Sequence, residues 1–428
     1  MRSKSVLLCV VGGLSLATSA MAQVPRVSAT QKGSLLMFSK VDIKWDASGN
    51  LVKDTILDIS NDADDGSVDV QAYFINGDLI VEEEYDNDGN IIQGFEPGWN
   101  TADCRFELTK SQPHFWSAAK GSDKCQPFSV LDMDGPGRTD SDGNQILRGM
   151  VIMWAVKFDE NRVVSSVETG EVEYPNGAWR EIRWNDLKGD ALIIDYKNGA
   201  AEEYNVWAFQ AHGVPHGAFL PGPGTLKLDG REYDSTFGQM MLDFYASGST
   251  ALSTTGISVS IDTELTLNTM YIDVRQDGVG PFLTKIEAEI FNENESKFSG
   301  TRRCTCCYDS TLLSNWVRTV AVPNHFLRSK LGTDKGAARL DGVKSTDCDY
   351  RDICGTSCSR GMHELAQKFG HPGLLSFDVP VLGVASKHIT FTGGATNVET
   401  AAMSLVGIEE EAGGIGYDLA GGSGELNR

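Results

Sequence analysis

Along this chain apolar and polar residues alternate in short runs, and few stretches carry the three-and-four spacing of an amphipathic helix. VDVQAYFI (68–75), MVIMWAV (150–156), ALIIDY (191–196) and HITF (388–391) are rich in β-branched and aromatic residues, which suit a pleated surface. Turn dipeptides punctuate them. Asn76-Gly77, Asn176-Gly177 and Asn198-Gly199 suit tight hairpins, because both residue types tolerate positive φ. A second turn pattern, D-x-x-G-N, recurs at Asp46–Asn50, Asp86–Asn90 and Asp140–Asn144. In each the aspartate can accept bonds from the turn backbone while glycine supplies the left-handed residue. Helical patterning is confined to MHELAQKF (362–369) and DSTLLSNWV (309–317), and FGQMMLDFYA (237–246) reads equally as helix or strand. The pattern predicts an all-β fold of sandwiches rather than an α/β enzyme fold.

An internal echo sharpens that expectation. Residues 41–50 align without gaps on 272–281, and 58–64 align in the same register on 289–295. Asp42 then matches Asp273, Lys44 matches Arg275, Asp46 matches Asp277 and Asn61 matches Asn292. Two related hairpins of this kind predict two immunoglobulin-like β-sandwich domains, over 23–160 and 161–395, with a Cys-rich, disulfide-bearing insertion at 304–358 in the second. A Gly-rich acidic tail follows over 396–428. The length agrees, since a chain of 428 residues exceeds one ordinary core.

KGSLLMF (32–38), DTILDISND (54–62), YFINGD (73–78), LKGDALIIDY (187–196), EYNVWAFQ (203–210), FSGTRRC (298–304) and GVASKHITFTGG (383–394) carry a resemblance. They look like segments of exported, β-rich bacterial proteins to which no activity is assigned. The resemblance covers most of the chain to about residue 395. It implies export and a β fold, and it brings no site residues.

The N-terminus reads MRSKSVLLCVVGGLSLATSAMA. Arg2 and Lys4 form a basic region, an apolar run follows, and Ala20-Met21-Ala22 fits a signal-peptidase site, so residues 1–22 read as a cleaved secretory signal. The run is too short for a spanning helix, and no transmembrane anchor is expected. The expected location is periplasmic or secreted. In an oxidising compartment the remaining cysteines favour disulfides. Cys104 and Cys125 stand apart and should pair with each other. Cys304, Cys306, Cys307, Cys348, Cys354 and Cys358 should form a local knot of bridges. Cys304-x-x-Cys307 has zinc-ligand spacing, but no matching second pair follows it.

Lys and Arg number 37 against 59 Asp and Glu, a net charge of −22. Losing Arg2 and Lys4 with the signal leaves 35 against 59, or −24. Such a field repels phosphate backbones and anionic lipid, so nucleic acid is excluded as a partner. A carbohydrate or another envelope protein fits better. Candidate chemistry is sparse. HELAQ (363–367) has Gln367 where a zinc protease needs its second histidine. His212 and His216, in AHGVPHG, sit on a loop and would need a third ligand to hold a metal. Asp86, Asp88 and Asn90, with Asp132 and Asp134, have alternating oxygen ligands that suit calcium, although both loops fail the EF-hand pattern. Calcium is the one cofactor this offers, and plain turn chemistry accounts for the same residues. Trp99, Trp116, Trp179, Trp184 and Trp207 are either sugar-stacking platforms or core. The expectation is a non-catalytic exported protein acting by binding or structure. A carbohydrate-active enzyme or binding module is the first alternative, and a metal-dependent hydrolase at His212 and His216 is the second.

Overall fold

A computed structural model describes residues 27–77, 79–85, 91–97, 101–128, 138–160, 178–221, 226–250, 258–270, 284–305, 308–318, 321–343, 380–392, 398–404 and 406–408. It is nearly all β, in antiparallel sheets. In chain order the strands are β1 (Leu35–Trp45), β2 (Leu51–Asn61), β3 (Val68–Asn76), β4 (Leu79–Tyr85), β5 (Ile91–Pro97), β6 (Thr101–Leu108), β7 (Gln112–Ser117), β8 (Arg138–Thr139) and β9 (Gln145–Asp159). There follow β10 (Ala178–Glu181), β11 (Leu187–Asp195), β12 (Ala200–Asn205), β13 (Trp207–Phe209), β14 (Gln239–Tyr245), β15 (Ser249–Thr250) and β16 (Ser258–Thr269). The last are β17 (Thr284–Asn292), β18 (Lys297–Thr305), β19 (Tyr308–Leu312), β20 (Lys335–Val343), β21 (Val381–Thr392), β22 (Val398–Ser404) and β23 (Val406–Ile408). No helix among the described residues is long and apolar enough to cross a membrane.

The four runs singled out by alternation all lie in strands: β3, β9, β11 and β21. The ambiguous run at 237–246 is strand β14, with Met240, Leu242 and Phe244 buried on one face. DSTLLSNWV departs from the expected helix. Its first half is β19, hydrogen-bonded along β16, and only Leu313–Asn315 turns as a short 3₁₀ segment. A free strand edge on β16 offers this backbone partners that an isolated helical turn lacks, and Leu313 and Trp316 are buried beside it. MHELAQKF lies outside the described residues.

The first sheet runs β12-β11-β2-β1-β9-β3-β6, with β7, β8, β10 and β13 paired at its margins. Strand β9 follows one edge of β1 from end to end, while the other edge is shared by β13 at Leu35–Met37 and by β2 at Lys44 and Trp45. The chain therefore returns from β12 through Val206 to β1, and it curls β1, β2 and β11 around Leu36, Phe38, Leu57, Ile193 and Tyr204. The boundary expected at 160 falls between β9 and β10, which pair with each other. A second sheet has the order β18-β17-β20-β14-β23, and a third β15-β16-β21-β22 with β19 beside β16. One continuous core joins Leu35, Trp154 and Phe209 of the first sheet to Leu242 and Ile286 of the second and Leu265 of the third. Segments 398–404 and 406–408, placed by the sequence in the tail, pair with β21 and β14.

A bulge in β1 decides what faces this junction. Phe38 pairs with Val151 and Val41 with Gly149, so β1 carries one extra residue there. Leu36 and Phe38 before it and Val41 and Ile43 after it share one core cluster, although their numbers change parity. Asp42 and Lys44 consequently turn to the opposite face, toward β16 and β21, as bulges do when they re-aim a strand. Arg148 stands across from Asp42 on β9.

Candidate functional site

Where the first and third sheets meet, a cleft of about 410 Å³ opens. Asp42, Lys44, Lys53, Ile146 and Arg148 line its first-sheet wall, and Ser260, Asp262, Glu264, Leu312, His388 and Thr390 line the other. Behind the cleft is Lys40, 1% exposed, in the middle of the bulge. Its Nζ donates to Glu202 Oε1 at 2.9 Å, to Glu264 Oε2 at 3.0 Å and to Ser386 Oγ at 2.8 Å. Its three ammonium hydrogens thus reach three acceptors on β12, β16 and β21. The Tyr204 hydroxyl accepts from the Lys40 backbone N–H at 3.0 Å and donates to the Lys40 carbonyl. Burial alone would strip the lysine of its proton. The charges of Glu264, Glu202 and Asp42 outweigh burial and hold it protonated well above the ordinary range.

Glu264 is the hub. Its Oε2 also accepts from His388 Nε2 at 3.2 Å, its Oε1 accepts from Ser310 Oγ at 3.0 Å, and Arg148 comes to 3.9 Å. Burial pushes its carboxyl up. Lys40, His388 and Arg148 together more than reverse that and keep it ionised far below the usual range. Asp42 bonds Lys53 at 2.9 Å. Burial raises its carboxyl too, against Lys53, Arg148 and Lys40, and the net direction is down. Lys53 is raised in turn, chiefly by Asp42. Asp262 Oδ1 accepts from Ser247 Oγ and from the Thr263 N–H. Lys44 is held by Asp140 at 2.9 Å.

The residues expected from sequence lie elsewhere. Cys104 on β6 and Cys125 form the disulfide anticipated for them, 6.1 Å apart at Cα. Cys304 lies one residue before the end of β18 and is itself disulfide-bonded. Cys306, Cys307, Cys348, Cys354 and Cys358 lie outside the described residues, as do Asp86, Asp88, Asn90, Asp132, Asp134 and Trp99. His212 and His216 take separate partners. His212 Nε2 bonds Asp234 at 2.7 Å, whereas His216 stacks on Trp184 and turns Nδ1 to Asp186 at 3.6 Å. Among the described residues no three His, Cys, Asp or Glu side chains are grouped as a metal would need. Nearby, Glu232 is buried, with its Oε1 accepting from the Lys227 N–H at 3.3 Å. Burial, helped by Glu181 and Asp229, pushes its carboxyl up to about 7. Trp116, Trp184 and Trp207 are core, while Trp179 is exposed beside Phe158 with Arg105 laid over its ring at 3.8 Å.

Sequence reasoning missed Lys40, Glu264 and His388 as a group. The available signal was a lysine inside LLMFSKVDIKW, a strand otherwise apolar enough to be buried. No family model matches the chain, and no curated protein matches it. Among solved structures, the cryo-EM atomic structure of Broad Bean Stain Virus aligns over 90% of this chain and 97% of that one, at 7% identity and a TM-score of 0.16. A Bacteroides fragilis protein named as a beta-galactosidase aligns over 91% of this chain and 42% of that one, at 10% identity and a TM-score of 0.09.

Proposed function

We propose that this is an exported binding protein that holds a small polar ligand in the cleft between the first and third sheets. One observation carries the reading: Asp42 and Glu264 both line the cleft, and each is already held by a lysine, Lys53 at 2.9 Å and Lys40 at 3.0 Å. Acid-assisted glycoside hydrolysis needs one carboxyl kept protonated near neutral pH, and the shifts of Asp42 and Glu264 run the other way. Charges that are ordered before a ligand arrives favour recognition, because little ordering remains to be done on binding.

Export is supported by the basic, apolar and Ala-Met-Ala segments of residues 1–22 and by the Cys104–Cys125 bond, a kind that persists in oxidising compartments. The remaining cysteines fit a knot of bridges within 304–358. Pairing of the second and third sheets around Leu242, Ile286 and Leu265 fits the immunoglobulin-like sandwich expected for the second half.

The test is native mass spectrometry of the chain recovered from the periplasm or medium, incubated with a small-molecule extract. Wild type should carry a small-molecule adduct, and Ser260→Trp, which fills the cleft mouth, should lose it. A bare wild-type mass, or an adduct retained in both, removes the reading.

A further inference from the structure

The charges around the cleft answer one another. Lys53 bonds Asp42 at 2.9 Å, and Lys44 bonds Asp140 at 2.9 Å. Lys40 is shared by Glu202 and Glu264, and His388 serves as a further cation on Glu264 at 3.2 Å. Arg148 stands across from Asp42 on β9 and comes to 3.9 Å from Glu264. Asp262 faces His388 across β16 and β21. Five cations, Lys40, Lys44, Lys53, Arg148 and His388, therefore meet five acids, Asp42, Asp140, Glu202, Asp262 and Glu264. The walls are dense in charge but carry no net excess of either sign. A ligand with net charge would have to break one of these contacts to make its own, and would leave a charge unanswered.

Hydrogen-bonding capacity nevertheless remains. The ammonium groups of Lys53 and Lys44 donate to Asp42 and Asp140, and each has three hydrogens to give. Both hydrogen bonds to Asp262 fall on Oδ1, so Oδ2 keeps its acceptor capacity. Ser260 and Thr390 add hydroxyls, which donate and accept alike. Donors and acceptors thus stand side by side around the cleft. Two apolar side chains lie among them, Ile146 on the first-sheet wall and Leu312 on the third-sheet wall.

Building on the binding reading above, we infer that the ligand is an uncharged sugar, a monosaccharide or a disaccharide. A sugar ring carries hydroxyls around its rim, each both donor and acceptor, and presents apolar C–H faces above and below. The rim matches the mixed donors and acceptors of the walls. Its hydroxyls accept from Lys53 and donate to Asp262 Oδ2 while the existing ion pairs stay whole. The faces lie against Ile146 and Leu312. A volume of about 410 Å³ sits at the small end of the roughly 300–1,000 Å³ typical of ligand pockets.

Calorimetric titration of the full exported chain tests this with neutral mono- and disaccharides, their uronic-acid, sugar-phosphate and amino-sugar relatives, and free amino acids. At least one neutral saccharide should bind. Each charged relative of that sugar should bind at least about fivefold more weakly, and the affinity of the neutral sugar should change less than about twofold between low and high salt. Asp262→Asn, which replaces the acceptor Oδ2 by a donor, should weaken the neutral sugar about tenfold, with its thermal midpoint recorded to show that the fold is retained. Should that variant unfold, the charged relatives still decide on wild type. A charged relative inside the fivefold margin overturns the inference, and so does binding of amino acids alone or of no member of the panel. If the extract experiment meanwhile yields an adduct lost in Ser260→Trp, the cleft remains a binding site for another chemistry. If it yields none, both conclusions fall together.

Discussion

A charged residue in a strand core is tolerable only when its neighbours answer it, and this chain answers in two opposite ways. Around Lys40 the answer is three acceptors, so the charge stays. Around Glu232 burial, helped by the acidic neighbours Glu181 and Asp229, keeps the proton on instead, and the carboxyl is pushed up to about 7. A folded-state value above the unfolded one, about 4.3, means that the native state holds the extra proton between the two. Its contribution to stability is complete below the unfolded value and is lost as pH rises through about 7. Glu232→Gln should therefore be more stable than wild type at pH 8.5, by on the order of 1–2 kcal/mol after allowing for solvent screening. The gap should close below pH about 5. Denaturant midpoints at both pH values check this, and a gap that is the same at each would refute it. Turn residues were more legible. In both described D-x-x-G-N loops the aspartate bonds its own turn: Asp46 Oδ1 accepts from Ser48 and Asn50, and Asp140 Oδ1 from Asp142 and Asn144. Gly49 and Gly143 supply the left-handed residue at φ 82° and 78°.

Elements were readable where local pattern and pairing agree, and misread where a distant partner intervenes. Asn198-Gly199 does join paired strands, β11 and β12, with Asp195 bonding the turn. Asn76-Gly77 looked equivalent, yet β3 and β4 are not partners: β3 pairs with β6 and β9. Gly77 is glycine for another reason, since a Cβ there would lie 2.2 Å from the ring of Tyr308, more than 200 residues away. The echo between Asn61 and Asn292 has a local basis, because each ends a strand and turns its side-chain oxygen to the following backbone, at Ala63 for one and at Asn294 and Ser296 for the other. The Cys104–Cys125 bridge ties β6 to the segment after β7. Replacing both cysteines with alanine should cost about 2–4 kcal/mol, the usual range for a native bridge. Unfolding of the double variant under denaturant, with wild type in reductant alongside, reads this directly. An unchanged midpoint in both would show that the bridge adds nothing.

At the scale of the whole molecule, Lys40 is the tie between sheets, because β1 and β12 belong to the first sheet and β16 and β21 to the third. Lys40→Met should destabilise the protein by about 3–5 kcal/mol, since it leaves Glu202 and Glu264 buried without their shared cation. The measurement is denaturant unfolding of the variant, where a loss below about 1 kcal/mol would mean that the ion network is slack. That arrangement marks the division between what was legible and what was not. Alternation, turn dipeptides and spacing are properties of neighbouring residues, so the strands β3, β9, β11 and β21, the aspartate turns and the isolated cysteine pair could be read directly from the chain. The cleft draws on residues 42, 53, 148, 262 and 388, and the register that faces them is set by a one-residue bulge in β1. Alternation in a strand has a period of two, so that single extra residue moves Asp42 and Lys44 to the other face. Nothing local in the sequence encodes which sheet then covers them. Only the packing of the third sheet against β1 turned scattered charges into a site.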